Sequence, residues 1–135
     1  MAETLTIKAY IKGVAQAPRK VSLVASLVRN RSVADAVVIL AHTPKRAAKA
    51  VLKAVESAKA NAINNHGLDA KTLTITTISV TTGTRLKRYM PASRGRALPF
   101  QKISSNILVE VSGDVKPKKP AKKAATTKVA EKESK

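Results

Sequence analysis

The chain opens on an alternation of apolar and polar positions. Leu5, Ile7, Ala9 and Ile11 fall on one side of an extended segment, with Lys8, Tyr10 and Lys12 on the other. That period of two predicts a strand over Thr4 to Val14. The period then lengthens: after Ala17-Pro18, the residues Val21, Val24, Ala25 and Val28 recur at helical spacing, with Leu23 and Leu27 widening the stripe. Pro18 takes the first helical position, where its missing N–H costs nothing, and Asn30 is the expected stop. Ser32-Val33-Ala34-Asp35 has the form of a capping box with the shorter Asp in place of Glu, and opens a short helix to about Ala41. A longer helix is expected from Thr43-Pro44 to about Asn65, with Gly67 as its C-terminal stop. Its stripe is Ala48, Val51, Leu52, Val55, Ala58 and Ala62, while Lys45, Lys49 and Lys53 face away.

From Thr72 the alternation returns. Leu73 and Ile75 are one position out of phase with Ile78 and Val80, a slip that a β-bulge accounts for. A further strand is expected over Ser104 to Val111, with Ile107, Val109 and Val111 inward. No internal repeat is visible. After Gly113 the chain becomes Lys, Ala, Pro and Thr, with almost nothing apolar to bury. Residues 1–113 are therefore expected to form one globular unit, and 114–135 a disordered basic tail.

Between the last two strands lies Thr82 to Lys102, which carries Arg85, Lys87, Arg88, Arg94, Arg96 and Lys102 and no acid. A connection of about twenty residues inside a small domain is unusual and points to function or disorder. Antiparallel pairing of the flanking strands would extend it into a hairpin. Ten residues per arm at ~3.3 Å each would project it ~30 Å. The turn is expected near Ser93-Arg94-Gly95-Arg96, where Gly95 can take a positive φ. A bare two-stranded ribbon is at best marginally stable in water, so this one should be ordered when buried in something negative. The alternative is a mobile loop with solvated charges. The absence of acids argues against it, because solvated loops mix both signs.

Charge sharpens that reading. The 26 Lys and Arg against 8 Asp and Glu give a net charge of +18 on 135 residues. A small domain so charged repels itself, and a polyanionic partner relieves the repulsion. DNA, RNA and an anionic membrane all qualify. The aromatics are Tyr10, Tyr89 and Phe100 alone, too few for base stacking to be the main mode. Binding through phosphates and shape is the expectation. Pro18-Arg19-Lys20 and Pro44-Lys45-Arg46 each place two cations at a helix start, where the dipole disfavours them unless a phosphate is held there.

Other classes recede. Cysteine is absent, which removes disulfides and thiolate ligands. The N-terminus lacks the apolar core of a secretory signal, and the longest apolar run, Ala36 to Ala41, is far short of the ~20 residues that span a bilayer. A soluble intracellular protein is expected. His42 and His66 each sit at a predicted helix end, and Asp35, Glu56, Asp69 and Glu110 are scattered without carboxylate-pair or metal-ligand spacing. No glycine-rich phosphate loop or nucleophile motif occurs, so neither catalysis, metal nor cofactor is expected.

Three segments carry a resemblance. Ala17-Pro18-Arg19-Lys20-Val21-Ser22-Leu23-Val24-Ala25-Ser26-Leu27-Val28-Arg29 is similar to the first helix of the bacterial ribosomal large-subunit protein L-twenty-two family. Ala47 to Asn64, with Val51-Leu52-Lys53 and Glu56-Ser57-Ala58-Lys59-Ala60-Asn61-Ala62, resembles its long helix. Leu86-Lys87-Arg88-Tyr89-Met90-Pro91 and Arg94-Gly95-Arg96-Ala97 resemble its extended loop. The likeness runs in order from about residue 4 to 112. It implies an α+β fold, three helices packed on a small antiparallel three-stranded sheet with one long protruding β-hairpin. It implies a structural constituent of the large ribosomal subunit that binds 23S-type rRNA, aids assembly and touches neighbouring ribosomal proteins. The hairpin would line the nascent-peptide exit tunnel, beside nascent chains and the macrolide site, in a cytoplasmic, bacterial-type ribosome without homo-oligomer or membrane.

The residues expected on rRNA are Arg19, Lys20, Arg29, Arg31, Lys45, Arg46, Lys49, Arg85, Lys87, Arg88, Arg94, Arg96 and Lys102. Leu86, Lys87, Arg88, Arg94, Gly95, Arg96 and Ala97 are the expected tunnel-lining positions, by resemblance. The sequence departs from the family at Ala92-Ser93, where a more basic pair is usual, and at the apolar Leu98-Pro99-Phe100 on the return arm. The basic tail is an extension that many members lack. A DNA-architectural protein is the rival: Lys116-Pro117-Lys118-Lys119-Pro120-Ala121-Lys122-Lys123 suits one, and an Arg-Gly-Arg arm could enter a minor groove. Composition does not separate the two. The register of three motifs favours RNA. A membrane-surface role is weaker still, because no helix pairs a broad apolar face with aromatic anchors.

Overall fold

A computed structural model describes residues 4–114. The chain runs β1 (Thr4–Val14), α1 (Pro18–Val28), α2 (Val33–His42), α3 (Arg46–His66), β2 (Thr74–Pro91), a single 3-10 turn (Ser93–Gly95) and β3 (Ala97–Asp114). The strands form one antiparallel sheet in the order β1-β3-β2. This is the expected α+β arrangement of three helices on a three-stranded sheet. The tail lies outside the described residues except for Asp114, which pairs with Thr4, so that β3 ends three residues past the expected Val111.

Local chemistry sets each helix end. In α1, Pro18 occupies the first turn, and the helix stops where Asn30 adopts a left-handed φ of 59°. The linker that follows is stitched to β2. Asn30 N–H donates to the Ile75 carbonyl at 3.1 Å, Ile75 N–H to Arg31 at 2.9 Å, and Val33 N–H to Leu73 at 3.0 Å. In α2 the Ser32 hydroxyl accepts from Asp35 N–H at 3.1 Å and donates to the Asp35 carboxylate at 2.8 Å. The shorter Asp thus grips the capping hydroxyl, where the Glu of a full capping box reaches the cap's own N–H.

α3 begins later than expected. Thr43 closes α2 instead, its hydroxyl donating to the Ile39 carbonyl at 2.7 Å. Pro44 disfavours helical backbone at Thr43, whose ψ is 115°, and Lys45 becomes the extended N-cap. At the other end Gly67, with φ 62°, donates its N–H to the Ile63 carbonyl at 3.1 Å, and Leu68 donates to Ala62 at 3.0 Å. These two bonds satisfy carbonyls the helix leaves open.

The core lies between helices and sheet and is wholly aliphatic. Ile7, Ala9, Ile75, Ile78, Ile107, Val109 and Val111 face inward from the strands. They meet Val21, Val24 and Val28 of α1 and Val51, Val55, Ala58 and Ala62 of α3. Small residues on α3 let it seat close to its neighbours. Three inward assignments fail. Leu23 and Leu27 are 63% and 46% exposed, because each precedes a core valine and lies about 100° round the helix from it. Leu5, near the strand end, is also exposed, whereas Ile11 and Leu52 pack against the core.

The phase slip in β2 is a bulge, as expected. Ile75 pairs with Val111 and Thr77 with Glu110, which leaves Thr76 as the extra residue. Two more bulges lie further along, between Ile11 and Val14 on β1 and between Thr82 and Arg85 on β2. Beyond them β2 and β3 continue as a ribbon from the pair Arg85–Ile103 to the pair Pro91–Ala97. The free arm is shorter than the ~30 Å expectation, at ~23 Å for seven residues. β1 supports β3 as far as Ser105, and the turn takes up 92–96. Ala92 N–H donates to Arg96 at 2.7 Å to close it. Gly95 has φ 69°, and Arg94 is left-handed beside it at φ 57°.

Candidate nucleic-acid interface

Three groups of cations stand out from this body. The first is the hairpin. Alternation about the pairs of β2 and β3 puts Arg85, Lys87 and Tyr89 on one face of the ribbon, with Pro99, Gln101 and Ile103. Leu86, Arg88 and Met90 share the other with Leu98, Phe100 and Lys102. The expected tunnel arm Leu86-Lys87-Arg88 is thereby split between two faces. Arg94, Gly95 and Arg96 form the turn, with Ala97 opening the return arm. Arg88 donates to the adjacent Lys87 carbonyl at 2.8 Å, and none of the ribbon cations has an ion pair among the described residues.

The second group surrounds the starts of α1 and α3. Neither has a side-chain cap or an acid in its first turn, whereas α2 has Ser32 and Asp35. Arg19 and Lys20 stand in the first turn of α1. On α3 the cations sit slightly earlier, Lys45 at the N-cap and Arg46 at the first helical position. A depression of about 420 Å³, bordered by Gln16, Lys20, Leu23, Lys45, Arg46 and Ala47, brings the two starts together. Arg46 also borders a depression of about 570 Å³ with Lys45 and Lys49, and one of about 610 Å³ with Lys102 at the hairpin root. No acid lines any of the three. The convergence of Lys20, Lys45, Arg46, Lys49 and Lys102 was not readable from their spacing.

Arg29 and Arg31 form the third group and are more engaged with the body. Arg29 donates to the Ile78 carbonyl at 3.1 Å, and Arg31 Nε to the Leu27 carbonyl at 3.0 Å. Arg31 thereby closes the end of α1, while Arg29 ties that end to β2 and borders a polar groove with Thr76, Thr77 and Ser79. Sequence reasoning missed the polar triplet Ser104-Ser105-Asn106 at the hairpin root. The signal was present: three polar residues lead an otherwise apolar alternation, and Gly83 interrupts the facing strand.

His42 and His66 end α2 and α3, and no group of three potential metal ligands occurs among the described residues. No described helix is long and apolar enough to cross a membrane.

The model of the family Ribosomal protein L22p/L17e matches residues 9–112. The chain belongs to this family. The match runs from β1 almost to the end of β3, so it takes in all three helices and the whole hairpin. A large ribosomal subunit protein uL22 from Metamycoplasma hominis is 50% identical over 70% of this chain and 74% of its own length. The namesake from Metamycoplasma arthritidis is 47% identical over 77% of this chain and 50% of its own length. That from Mesoplasma florum is 45% identical over 79% of this chain and 96% of its own length. The L22p/L17e family is structural and non-enzymatic.

Proposed function

We propose that this protein is a structural constituent of the large ribosomal subunit that binds 23S-type rRNA in the cytoplasmic ribosome, aids subunit assembly, and lines the nascent-peptide exit tunnel with its hairpin. The observation that carries the reading is the paired, acid-free ribbon beyond Arg85–Ile103, whose cations make no ion pair among the described residues. Such an element is self-repelling in water and complementary to a phosphate-walled cleft.

Binding proceeds without chemistry. Arg85, Lys87, Arg88, Arg94, Arg96 and Lys102 displace counterions from phosphates along the ribbon, so affinity falls steeply with salt. Arg19, Lys20, Lys45, Arg46 and Lys49 hold phosphates at the two uncapped helix starts, where free backbone N–H groups add donors. Arg29 and Arg31 contribute from the end of α1. Leu86, Lys87 and Arg88 on the outgoing arm, with Arg94, Gly95, Arg96 and Ala97 at the turn, are the tunnel positions, close to nascent chains and the macrolide site. The globular unit of 1–113 meets rRNA and neighbouring ribosomal proteins, and 114–135 is a basic appendage to it.

Sucrose-gradient sedimentation of a lysate, blotted for this protein and repeated after RNase, tests the reading. Comigration with the large subunit, abolished by RNase, is expected. Sedimentation with the nucleoid would replace it with a DNA-architectural role.

A further inference from the structure

The hairpin leaves the sheet at one place, and that place is built unusually. β1 stops supporting β3 at the pair Val14–Ser105, so the sheet falls there from three strands to two. A ribbon leaving a sheet at such a step is free to bend unless something holds its root. Here both flanking strands bulge within three residues of β3. Lys12 and Gly13 of β1 oppose Asn106 alone, and Gly83 and Thr84 of β2 oppose Ser104 alone.

Each bulge is held by a side chain of β3. Gly13 N–H donates to Asn106 Oδ1 at 3.0 Å. Ser104 Oγ donates to the Thr84 carbonyl at 2.8 Å and lies 3.0 Å from Thr84 Oγ1. The backbone closes tightly on these groups. A Cβ on Gly83 would stand 2.6 Å from Ser104 Oγ and 3.3 Å from Asn106 Oδ1. Gly13 meets the other requirement, a φ of +70° that side-chain-bearing residues rarely adopt. Between the two, Ser105 is fully buried at the head of the inward row Ser105, Ile107, Val109 and Val111.

The consequence reaches the tip. An extra residue in one strand moves every side chain beyond it to the opposite face. The bulge at Gly83 and Thr84 therefore decides that Arg85 and Lys87 share the face of Ile103 and Gln101, while Arg88 shares that of Phe100 and Lys102.

We infer that Ser104 and Asn106 are positioning residues that lock the two bulges, aim the hairpin relative to the body, and set which cations each face presents to rRNA. The functional part rests on the rRNA-binding reading above, and the structural part does not. Both are tested on the full chain, which has no cysteine and takes spin labels cleanly at Ser57→Cys on α3 and Gln101→Cys on the hairpin. Both sites are exposed and outside the proposed rRNA set.

The distance distribution between the labels is expected to be narrow in the parent. It should broaden or shift in Asn106→Leu, which removes the acceptor, and recover in Asn106→Asp, which restores it. Ser104→Ala should behave like Asn106→Leu. Circular dichroism should show the body folded in all of them. Asn106→Leu should also bind 23S-type rRNA about tenfold more weakly, because an unheld ribbon must be ordered on binding. Its affinity for polyuridine, which reads charge alone, should stay unchanged.

An unchanged distance distribution in Asn106→Leu overturns the lock whatever the RNA does. An altered distribution with unaltered rRNA affinity overturns the positioning role. Failure of the rRNA reading itself would look different: the parent protein would prefer rRNA to polyuridine no more than any polycation does.

Discussion

β2 and β3 each live two lives. In their proximal halves Ile75, Ile78, Ile107, Val109 and Val111 are buried, and the strands are the floor of the core. In their distal halves every residue from Thr84 to Pro91 and from Ala97 to Lys102 is exposed. The backbone pairing is continuous across the change apart from the bulge at the root. Regular hydrogen bonding is therefore common to both regions and cannot explain why one is a body and the other a probe. What differs is the second layer. The proximal strands bury an aliphatic face against helices, which is where stability comes from. The distal strands have no covering layer among the described residues, and their cations are exposed.

The comparison predicts that damage to the two regions separates cleanly. The largest effect is expected from Ile107→Ala in the body, which should lower stability by about 2–5 kcal/mol through reduced burial and a residual cavity. Urea denaturation followed by circular dichroism measures it, and a decrease below ~1 kcal/mol would mean that the sheet floor is not what holds the body together. Next come Arg88→Glu and Arg94→Glu. Each should impair incorporation into the large subunit and flatten the dependence of log affinity on log salt by about one unit for every phosphate left unneutralised. Their urea midpoints should match the parent. Unfolding of either variant would show that hairpin and body are one cooperative unit. The smallest effect is reserved for Ser32→Ala. Removal of the α2 cap should cost about 1 kcal/mol and leave rRNA affinity at the parent value. A change in RNA binding there would extend the interface onto a helix start whose bonds are all internal to the body.

Periodicity makes most of the body legible. The strand Thr4–Val14, the ends of α1 and α3 at Asn30 and Gly67, the bulge at Thr76 and the positive φ of Gly95 follow from patterns within a few residues. The start of α3 is less legible, because Pro44 suits a helix start while its effect on Thr43 pushes the cap to Lys45. Leu23 and Leu27 mislead for a different reason. Hydrophobicity marks what can be buried and does not measure how wide the neighbouring surface is.

Taken alone, the sequence determined the element types, the net charge of +18, the basic hairpin and the resemblance that led to the family. All of these depend on residue identity and local spacing. Only the tertiary structure decided that Lys20, Lys45, Arg46, Lys49 and Lys102 converge on one end of the body. It also decided that Arg85 and Lys87 stand opposite Ile103 and Gln101, and that Ser104 and Asn106 each face a bulge in a neighbouring strand. The reason is physical. Periodicity reports which side of its own element a residue occupies, while register and packing between distant elements choose what stands opposite it. A single inserted residue such as Gly83 or Thr84 can reverse a whole arm while leaving its alternation intact.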